Sequence, residues 1–303
     1  MRVAVVGAGG QLGSDLVRLW SKELTWEVVG LPHAAVDVTD LAAVRSALLK
    51  AKPEVVVNCA AYVRVDDAED RVEEAFAVNA VGAWNVARAA KETGALCVYL
   101  STDYVFDGTK SGPYDETDPP QPLNVYGASK LAGEHLTRIG APRWLVVRVA
   151  SLFGSAGARS KGGNFLEKIL ARARGGETLR LVNDVRMSPT YTVDVARALA
   201  SWIEQGAVGV VHGANRGWTT WFEFGQKALE LAGLEARVEA ISHRQYPSEA
   251  ARPRNSALGS ARRDLMDPGL RPWQDALADY LRETGWLAAA SAERSASPAR
   301  HSQ

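Results

Sequence analysis

The first twenty residues contain the feature that most restricts the fold, a short β-branched run that ends in three evenly spaced glycines. The run from Arg2 to Val6 reads as a strand, and Gly7, Gly10 and Gly13 follow before an amphipathic segment that continues to Trp20. Glycines allow a tight turn and close approach of the backbone to a pyrophosphate at the start of the next helix. A strand, a glycine turn and a helix in this order therefore predict a dinucleotide-binding unit. A glycine-rich turn without a ligand is the alternative.

Apolar runs alternate with amphipathic segments through the first half of the chain, as in a parallel sheet with helices on both faces. The predicted strands are 2–6, 27–31, 54–58, 96–100 and 144–149. We therefore predict an α/β protein with a doubly wound, Rossmann-type parallel sheet and right-handed crossovers. The predicted domains are a dinucleotide-binding domain at 1–155, whose sheet is completed by parts of 178–213, a smaller C-terminal α+β substrate-binding lobe at 156–287, and a disordered tail at 288–303.

Composition excludes several classes of protein. Of the 303 residues 47% are hydrophobic, and 35 basic residues balance 35 acidic ones, so the chain is globular and lacks the positive excess typical of nucleic-acid binding. The two cysteines, Cys59 and Cys97, lie in apolar runs without metal-like spacing. No run has the length of a membrane span, and the apolar start is too short for a signal peptide. We expect a cytoplasmic protein that binds neither nucleic acid nor a membrane.

Tyr126 and Lys130 stand four residues apart at the start of a predicted helix. At that spacing both side chains lie on one face. A phenol has an ordinary pKa of about 10, and a neighbouring ammonium lowers it, so the pair is able to pass a proton to or from a carbonyl oxygen. A solvated helix face is the alternative interpretation.

Polar residues at other strand ends are further candidates. The hydroxyls of Ser101 and Thr102 follow the fourth strand, where one of them can donate a hydrogen bond to a substrate carbonyl, although ordinary turn chemistry is the alternative. The second strand ends without the acidic residue that binds a ribose 2′-hydroxyl, so the choice between NAD and NADP stays open. Asp40 or Thr39 is expected to cap the next helix, and Asp37 either caps it or contacts adenine. Asn79 either is hydrogen-bonded in the core or organises the site.

Together these motifs resemble the extended short-chain dehydrogenase/reductase superfamily, and within it the dTDP-4-dehydrorhamnose reductase family. The resemblance runs from residue 1 to about 286 and is carried by GAGGQLG, STDYVFDG, PLNVYGASKLAGE, NDVRMSPT and ARPRNSAL. It implies an enzyme that transfers hydride from NADPH or NADH to C4 of a dTDP-linked 4-keto-6-deoxysugar. The partner would then be a small nucleotide-sugar substrate. Extended reductases often form homodimers through a helical surface, which this sequence does not identify.

The resemblance also implies roles for individual residues. Tyr126 would donate a proton to the C4 oxygen, Lys130 would hold the nicotinamide ribose and lower the pKa of the tyrosine, and Thr102 would bind the reacting oxygen. The cofactor would be contacted by the glycine turn and by two later segments, together with the catalytic pair: Gly7, Gly10, Gln11, Leu12, Gly13, Asp37, Val38, Ala60, Ala61, Tyr62 and Val63. The substrate would be contacted by Thr102 and by residues from both lobes: Asp103, Ser151, Asn164, Arg252, Asn255 and Ser256.

The chain departs from the family pattern at two places. Where the family often has Arg-Thr-Ser-Trp, with the tryptophan against the deoxysugar, this chain has Arg148-Val149-Ala150-Ser151. Some members hold magnesium through acidic residues at a subunit contact. Asp15 matches one of these positions, but Val193 occupies another, so no metal site is predicted.

Two other functions follow as alternatives. The serine at position 151 favours a reductase or epimerase that acts on a different nucleotide sugar. The second alternative is a non-catalytic NADP-binding regulatory subunit that resembles the methionine adenosyltransferase β subunit, because a fold does not fix a function. The complete set of Thr102, Tyr126 and Lys130 argues against that second alternative.

Overall fold

The computed structural model describes residues 1–156, 163–265 and 269–287 of the chain. The predicted disordered tail at 288–303 lies outside these residues. The strands are β1 (Arg2–Val6), β2 (Glu27–Leu31), β3 (Val55–Asn58), β4 (Leu96–Thr102), β5 (Trp144–Val149), β6 (Leu152–Phe153), β7 (Leu179–Val182), β8 (Arg186–Met187), β9 (Thr190–Tyr191), β10 (Gly209–His212), β11 (Thr219–Thr220) and β12 (Val238–Ile241). The helices are α1 (Gln11–Glu23), α2 (Leu41–Ala51), α3 (Asp67–Asp70), α4 (Val72–Phe76), α5 (Gly82–Thr93), α6 (Val125–Gly140), α7 (Phe165–Arg174), α8 (Thr192–Glu204), α9 (Trp221–Ala232) and α10 (Trp273–Glu283).

Six parallel strands form the central sheet, in the order β10-β5-β4-β3-β1-β2. The chain builds outward from β1 to β2, then returns to place β3 on the other side of β1. In doubly wound sheets ligands bind at the carboxyl ends of the strands at such a reversal. The prediction of a doubly wound parallel sheet is confirmed.

Alternate residues of the strands enter two separate cores, because successive side chains of a strand point to opposite faces. In β1, Val3 and Val5 join the core that includes α1 and α7 to α10, whereas Ala4 and Val6 join the core under α2 and α5. The first core also contains buried aromatic residues of the C-terminal half, such as Tyr280. The C-terminal half therefore packs on one face of the sheet.

Two strands of the sheet, β3 and β4, have boundaries that differ from the predicted ones. β1, β2 and β5 begin and end where predicted, whereas β3 starts one residue later and β4 continues to Thr102. Ser101 and Thr102 are thus the last residues of a fully buried strand. Of the segment 178–213, β10 pairs with β5 at the edge of the sheet, but β7 pairs with β12 outside it. Among the described residues, no helix has both the length and the apolar character needed to cross a bilayer.

Candidate active site

The turn after β1 needs glycine at two of its positions. Gly7 has a φ of 77°, a conformation that favours glycine, and its carbonyl accepts a 3.0 Å hydrogen bond from the Gly10 backbone N–H. A Cβ at Gly13 would lie 2.4 Å from that carbonyl oxygen, and one at Gly7 would lie 2.6 Å from the Ala60 backbone nitrogen. The glycines therefore let α1 approach β1 and the end of β3. The first backbone N–H groups of α1 have no side-chain cap, which suits a pyrophosphate.

Thr102 and Asp103 are buried at the carboxyl end of β4. The Thr102 hydroxyl donates a 3.0 Å hydrogen bond to Asp103 Oδ1 and accepts one of 3.2 Å from the Tyr104 backbone N–H. Burial raises the pKa of Asp103 to about 6, and the nearby hydroxyls of Ser256 and Thr102 oppose this shift. Asp103 Oδ2 is buried without a hydrogen-bond partner among the described residues. This oxygen is therefore available to a hydroxyl of a ligand.

Tyr126 and Lys130 lie one turn apart on α6. Lys130 is 2% exposed, and its Nζ donates a 2.6 Å hydrogen bond to the Leu100 carbonyl and lies 4.1 Å from the centroid of the Tyr99 ring. Burial lowers the pKa of Lys130 from 10.5 to about 7. Burial likewise raises the pKa of Tyr126 above its ordinary value, and the nearby Thr102 hydroxyl opposes this shift. This direction is opposite to the predicted lowering, because the loss of hydration outweighs the polar contacts around the phenol.

Asn79 ties the loop after β3 to α6. Its side chain accepts a 2.8 Å hydrogen bond from the Tyr62 backbone N–H, donates one of 3.1 Å to the Tyr62 carbonyl, and donates one of 2.9 Å to Ser129 Oγ. Asn79 lies in a π-helical turn, Ala77–Val81, and such turns are frequent at functional sites. The amide is thus both hydrogen-bonded in the core and a support for the residue next to Lys130.

Ser151 follows β5 in an unusual backbone conformation. Its φ is 42°, a left-handed value that non-glycine residues seldom adopt. Its carbonyl accepts a 3.3 Å hydrogen bond from the Thr190 backbone N–H, which helps to hold this conformation. Backbone strain of this kind clusters at ligand sites. A serine thus lines the cleft at the position where the family often has tryptophan.

A cleft of about 710 Å³ brings most of these groups together. The predicted site residues that line it are Gly10, Gln11, Leu12, Gly13, Ala61, Val63, Ser101, Thr102, Asp103, Tyr126, Lys130, Ser151 and Asn164. The volume is in the range typical of ligand clefts. Gln11 Oε1 is buried without a hydrogen-bond partner among the described residues. The glycine turn fits a dinucleotide, whose pyrophosphate would accept hydrogen bonds from the uncapped N–H groups of α1. A hydroxyl of the same ligand would donate a hydrogen bond to Gln11 Oε1.

The structure places five predicted cofactor residues elsewhere. In the described part of the chain Gly7, Asp37, Val38, Ala60 and Tyr62 are not among the lining residues. The Asp37 carboxylate accepts hydrogen bonds of 2.9 and 2.8 Å from the backbone and hydroxyl of Thr39, and Asp40, not Asp37, caps α2. The cap interpretation of Asp37 is therefore wrong, and the adenine contact stays a prediction.

Arg252 and Asn255 hold loops together. The Arg252 guanidinium makes two hydrogen bonds to the Asp66 carboxylate, of 2.9 and 2.7 Å. The Asn255 side chain donates hydrogen bonds of 2.7 and 2.8 Å to the carbonyls of Lys110 and Gly112. Neither residue lines the cleft in the described part of the chain, and their contact with substrate stays a prediction.

Asn164 lines the cleft and also caps α7. Its side chain accepts a 2.9 Å hydrogen bond from the Glu167 backbone N–H and donates hydrogen bonds to the Gly154 carbonyl and the Tyr280 hydroxyl. Its polar groups are therefore engaged by the protein, and a substrate contact stays a prediction.

Six aromatic residues that line the cleft were not predicted as site residues: Tyr104, Phe153, Phe165, Trp221, Phe224 and Tyr246. Phe165 and Trp221 are the first residues of α7 and α9, and their ring centroids lie 4.8 Å apart. Both are partly exposed. An aromatic residue directly after a capping residue, in Asn164-Phe165 and Thr220-Trp221, was the available signal.

Residues 1–285 match the family described as the RmlD substrate binding domain. The chain belongs to this family. It is 38% identical over 288 residues to the dTDP-4-dehydrorhamnose reductase of Mycobacterium tuberculosis, which covers 92% of each chain. It is 36% identical over 284 residues to the spore coat polysaccharide biosynthesis protein SpsK of Bacillus subtilis, which covers 93% of this chain and 97% of that one.

Solved structures of the family have the same architecture. A dTDP-4-dehydrorhamnose reductase from Clostridium acetobutylicum superposes with a TM-score of 0.87 at 32% identity, covering 94% of this chain and 100% of that one. A dTDP-4-dehydrorhamnose reductase from Bacillus anthracis in complex with NADP gives 0.86 at 33% identity, covering 93% and 99%. Membership of the RmlD family confirms the predicted family and the predicted class, an oxidoreductase with NADPH or NADH as its cofactor.

Proposed function

We propose that this RmlD-family protein reduces the C4 carbonyl of a dTDP-linked 4-keto-6-deoxysugar, namely dTDP-4-dehydrorhamnose, to the alcohol. The observation that carries the proposal is the convergence of Thr102, Tyr126 and Lys130 in the cleft that the glycine turn also lines. Relatives with 36 to 38% identity are dTDP-4-dehydrorhamnose reductases.

In this proposal Tyr126 donates the proton. The bound nicotinamide supplies the hydride that C4 receives. The C4 oxygen gains negative charge and takes the Tyr126 proton. The Thr102 hydroxyl turns away from Asp103 Oδ1 and donates its one hydrogen bond to the C4 oxygen. Burial keeps the phenol protonated beforehand, which is the form that a reductase needs. The Lys130 ammonium then stabilises the phenolate that remains, because an opposite charge acts strongly at a buried site.

In this proposal the substrate binds in the part of the cleft that is lined by Asp103, Ser151, Phe165 and Trp221. Asp103 Oδ2, which is buried without a partner among the described residues, accepts a hydrogen bond from a sugar hydroxyl. The Ser151 hydroxyl contacts the sugar beside it. The partly exposed rings of Phe165 and Trp221 bind the base, since stacking on aromatic side chains is a general way to bind nucleobases.

Ser151 also supports a second candidate, the same chemistry on another nucleotide sugar. A serine removes the aromatic wall with which the family often contacts the deoxysugar, so the sugar and its nucleotide must be tested together. The decisive assay follows the oxidation of NADPH and NADH by the purified protein with dTDP-, UDP- and GDP-linked 4-keto-6-deoxysugars. Turnover confined to a donor without thymidine would reject dTDP-4-dehydrorhamnose as the substrate.

Tyr126→Phe tests the proton donor. We expect it to lose most turnover while NADPH binding stays at the wild-type level, because the phenol is removed and the glycine turn is untouched. Tyr104→Phe is a matched control, since the Tyr104 ring lies edge-on to Tyr126 with centroids 6.0 Å apart. Full activity of Tyr126→Phe would show that another group delivers the proton.

A further inference from the structure

We propose that Glu134 is a positioning residue of this active site, which clamps the end of β4 to α6 and provides a counter-charge that favours the cationic form of Lys130. The inference rests on the proposed reductase function and extends it to a residue outside the cleft lining. Glu134 follows Lys130 by four residues and Tyr126 by eight. The three side chains therefore share one face of α6.

The Glu134 carboxylate joins two strands to the helix. Ser101 Oγ donates a 2.5 Å hydrogen bond to Oε1, and Arg148 donates hydrogen bonds of 2.9 Å from Nε to Oε1 and 2.8 Å from Nη2 to Oε2. Ser101 and Arg148 are directly opposite each other on β4 and β5. All three side chains are buried, with exposures of 3 to 6%. A bidentate pair of this kind fixes geometry as well as charge.

This clamp acts at the residues that carry the reacting groups. Lys130 binds the Leu100 carbonyl, and Glu134 binds the side chain of Ser101, the next residue along β4. Thr102 comes directly after them. Successive turns of α6 thus hold successive residues of β4, which sets the position of the Thr102 hydroxyl relative to Tyr126.

The surroundings of Lys130 explain why it needs a counter-charge. The groups that interact with it are the Tyr99 ring, the Cys59 thiol and the Glu134 carboxylate. Burial raises the pKa of Cys59 to about 12 and keeps Tyr126 protonated, so both are neutral at neutral pH. Burial lowers the pKa of Lys130, and the Glu134 carboxylate opposes this shift. Arg148 pairs with Glu134, so its positive charge partly offsets that effect.

A purely structural role is the competing explanation. A buried ion pair is weak evidence for a contribution to stability, because replacement by apolar groups is often neutral or stabilising. The two roles differ in one respect: only a counter-charge makes the protonation of Lys130 depend on the charge of residue 134. The test therefore measures that protonation directly.

The experiment compares Glu134→Gln, which removes the charge at nearly constant shape, with Glu134→Asp, which keeps the charge. The Lys130 titration is followed by NMR of protein with isotope-labelled lysine, and the signal is assigned by its loss in Lys130→Met. We expect Glu134→Gln to lower the Lys130 pKa by about one unit, because the negative charge that favours the ammonium is removed. Glu134→Asp should stay near the wild type.

Turnover provides a second measurement. The alkaline fall of kcat reports the pKa of an essential group in the complex. In this proposal that group is Lys130, so the fall should move to lower pH in Glu134→Gln. If that variant does not fold, Glu134→Gln with Arg148→Met removes both charges together and should show a smaller shift in the same direction. Thr137→Val is the matched control, a buried change on α6 that alters no charge.

An unchanged Lys130 titration in folded Glu134→Gln, or in the double variant, would overturn the inference whatever the activity. Absence of turnover by the wild-type protein on every keto sugar, with the expected shift in the Lys130 titration, would instead overturn the proposed function alone.

Discussion

Lys130→Met is expected to change the way in which stability depends on pH. The pKa of Lys130 is about 7 in the folded protein and 10.5 ordinarily. Between these values the unfolded chain binds more protons than the folded one, so the free energy of unfolding rises with pH. The slope approaches about 1.4 kcal/mol per pH unit, and the whole interval corresponds to roughly 5 kcal/mol. The methionine variant lacks this contribution.

Urea unfolding of the cofactor-free proteins at several pH values between about 6 and 10 measures the difference, because the free energy of unfolding is obtained at each pH. Above about pH 7.5 the free energy of unfolding of the wild type, relative to that of Lys130→Met, should rise by about 1 kcal/mol or more for each pH unit. The variant also loses the hydrogen bond to the Leu100 carbonyl, which shifts its stability by a constant amount and leaves the slope unaffected. Lys91→Met, an exposed change on α5, should follow the wild type. Parallel curves for the wild type and Lys130→Met would refute a depressed Lys130 pKa.

Three further predictions concern the cleft. Trp221→Ala should weaken dTDP binding, measured by calorimetry, about tenfold or more, because base stacking is lost. NADPH binding should stay unchanged. Trp218→Ala is the control, since it removes a tryptophan outside the cleft lining, and it should have no effect on dTDP binding. Gly13→Ala should lower the free energy of unfolding by about 1–3 kcal/mol, because its Cβ would lie 2.4 Å from a backbone oxygen. Gly9→Ala, with its Cβ 3.8 Å from the nearest atom, should unfold like the wild type. Asp103 has a pKa of about 6, so KM for the sugar should fall as pH rises through 6 and the carboxylate forms, and Asp103→Asn should abolish that dependence.

Local patterns were sufficient to predict the elements whose signals lie within a few residues. β1 and β2 are β-branched runs closed by glycine or proline, so their ends follow from the sequence. The Tyr126 and Lys130 pair follows from helical spacing, and Gly7 and Gly13 follow from the geometry of a tight turn. These predictions depend only on neighbouring residues and not on how the rest of the chain folds.

The remaining parts of the site depend on contacts between distant segments. Glu134 reads as an ordinary charge on a helix until α6 packs against β5 and brings Arg148 to it. The raised pKa of Tyr126 reflects burial, which spacing along a helix does not reveal. Arg252 matches a motif of the family, but its ion pair with Asp66 appears only when the chain is folded.

The edge position of β10 affects the order in which the chain can fold during synthesis. β10 covers β5, yet it lies beyond α7 and α8 in the sequence. When residue 155 has been made, the edge of β5 is still unpaired, and exposed strand edges favour association with other chains. About 60 more residues must follow, which takes several seconds at ordinary rates of translation. The six-stranded sheet therefore cannot be completed until the chain up to His212 has left the ribosome. Truncation before His212 should yield aggregated rather than cofactor-binding protein.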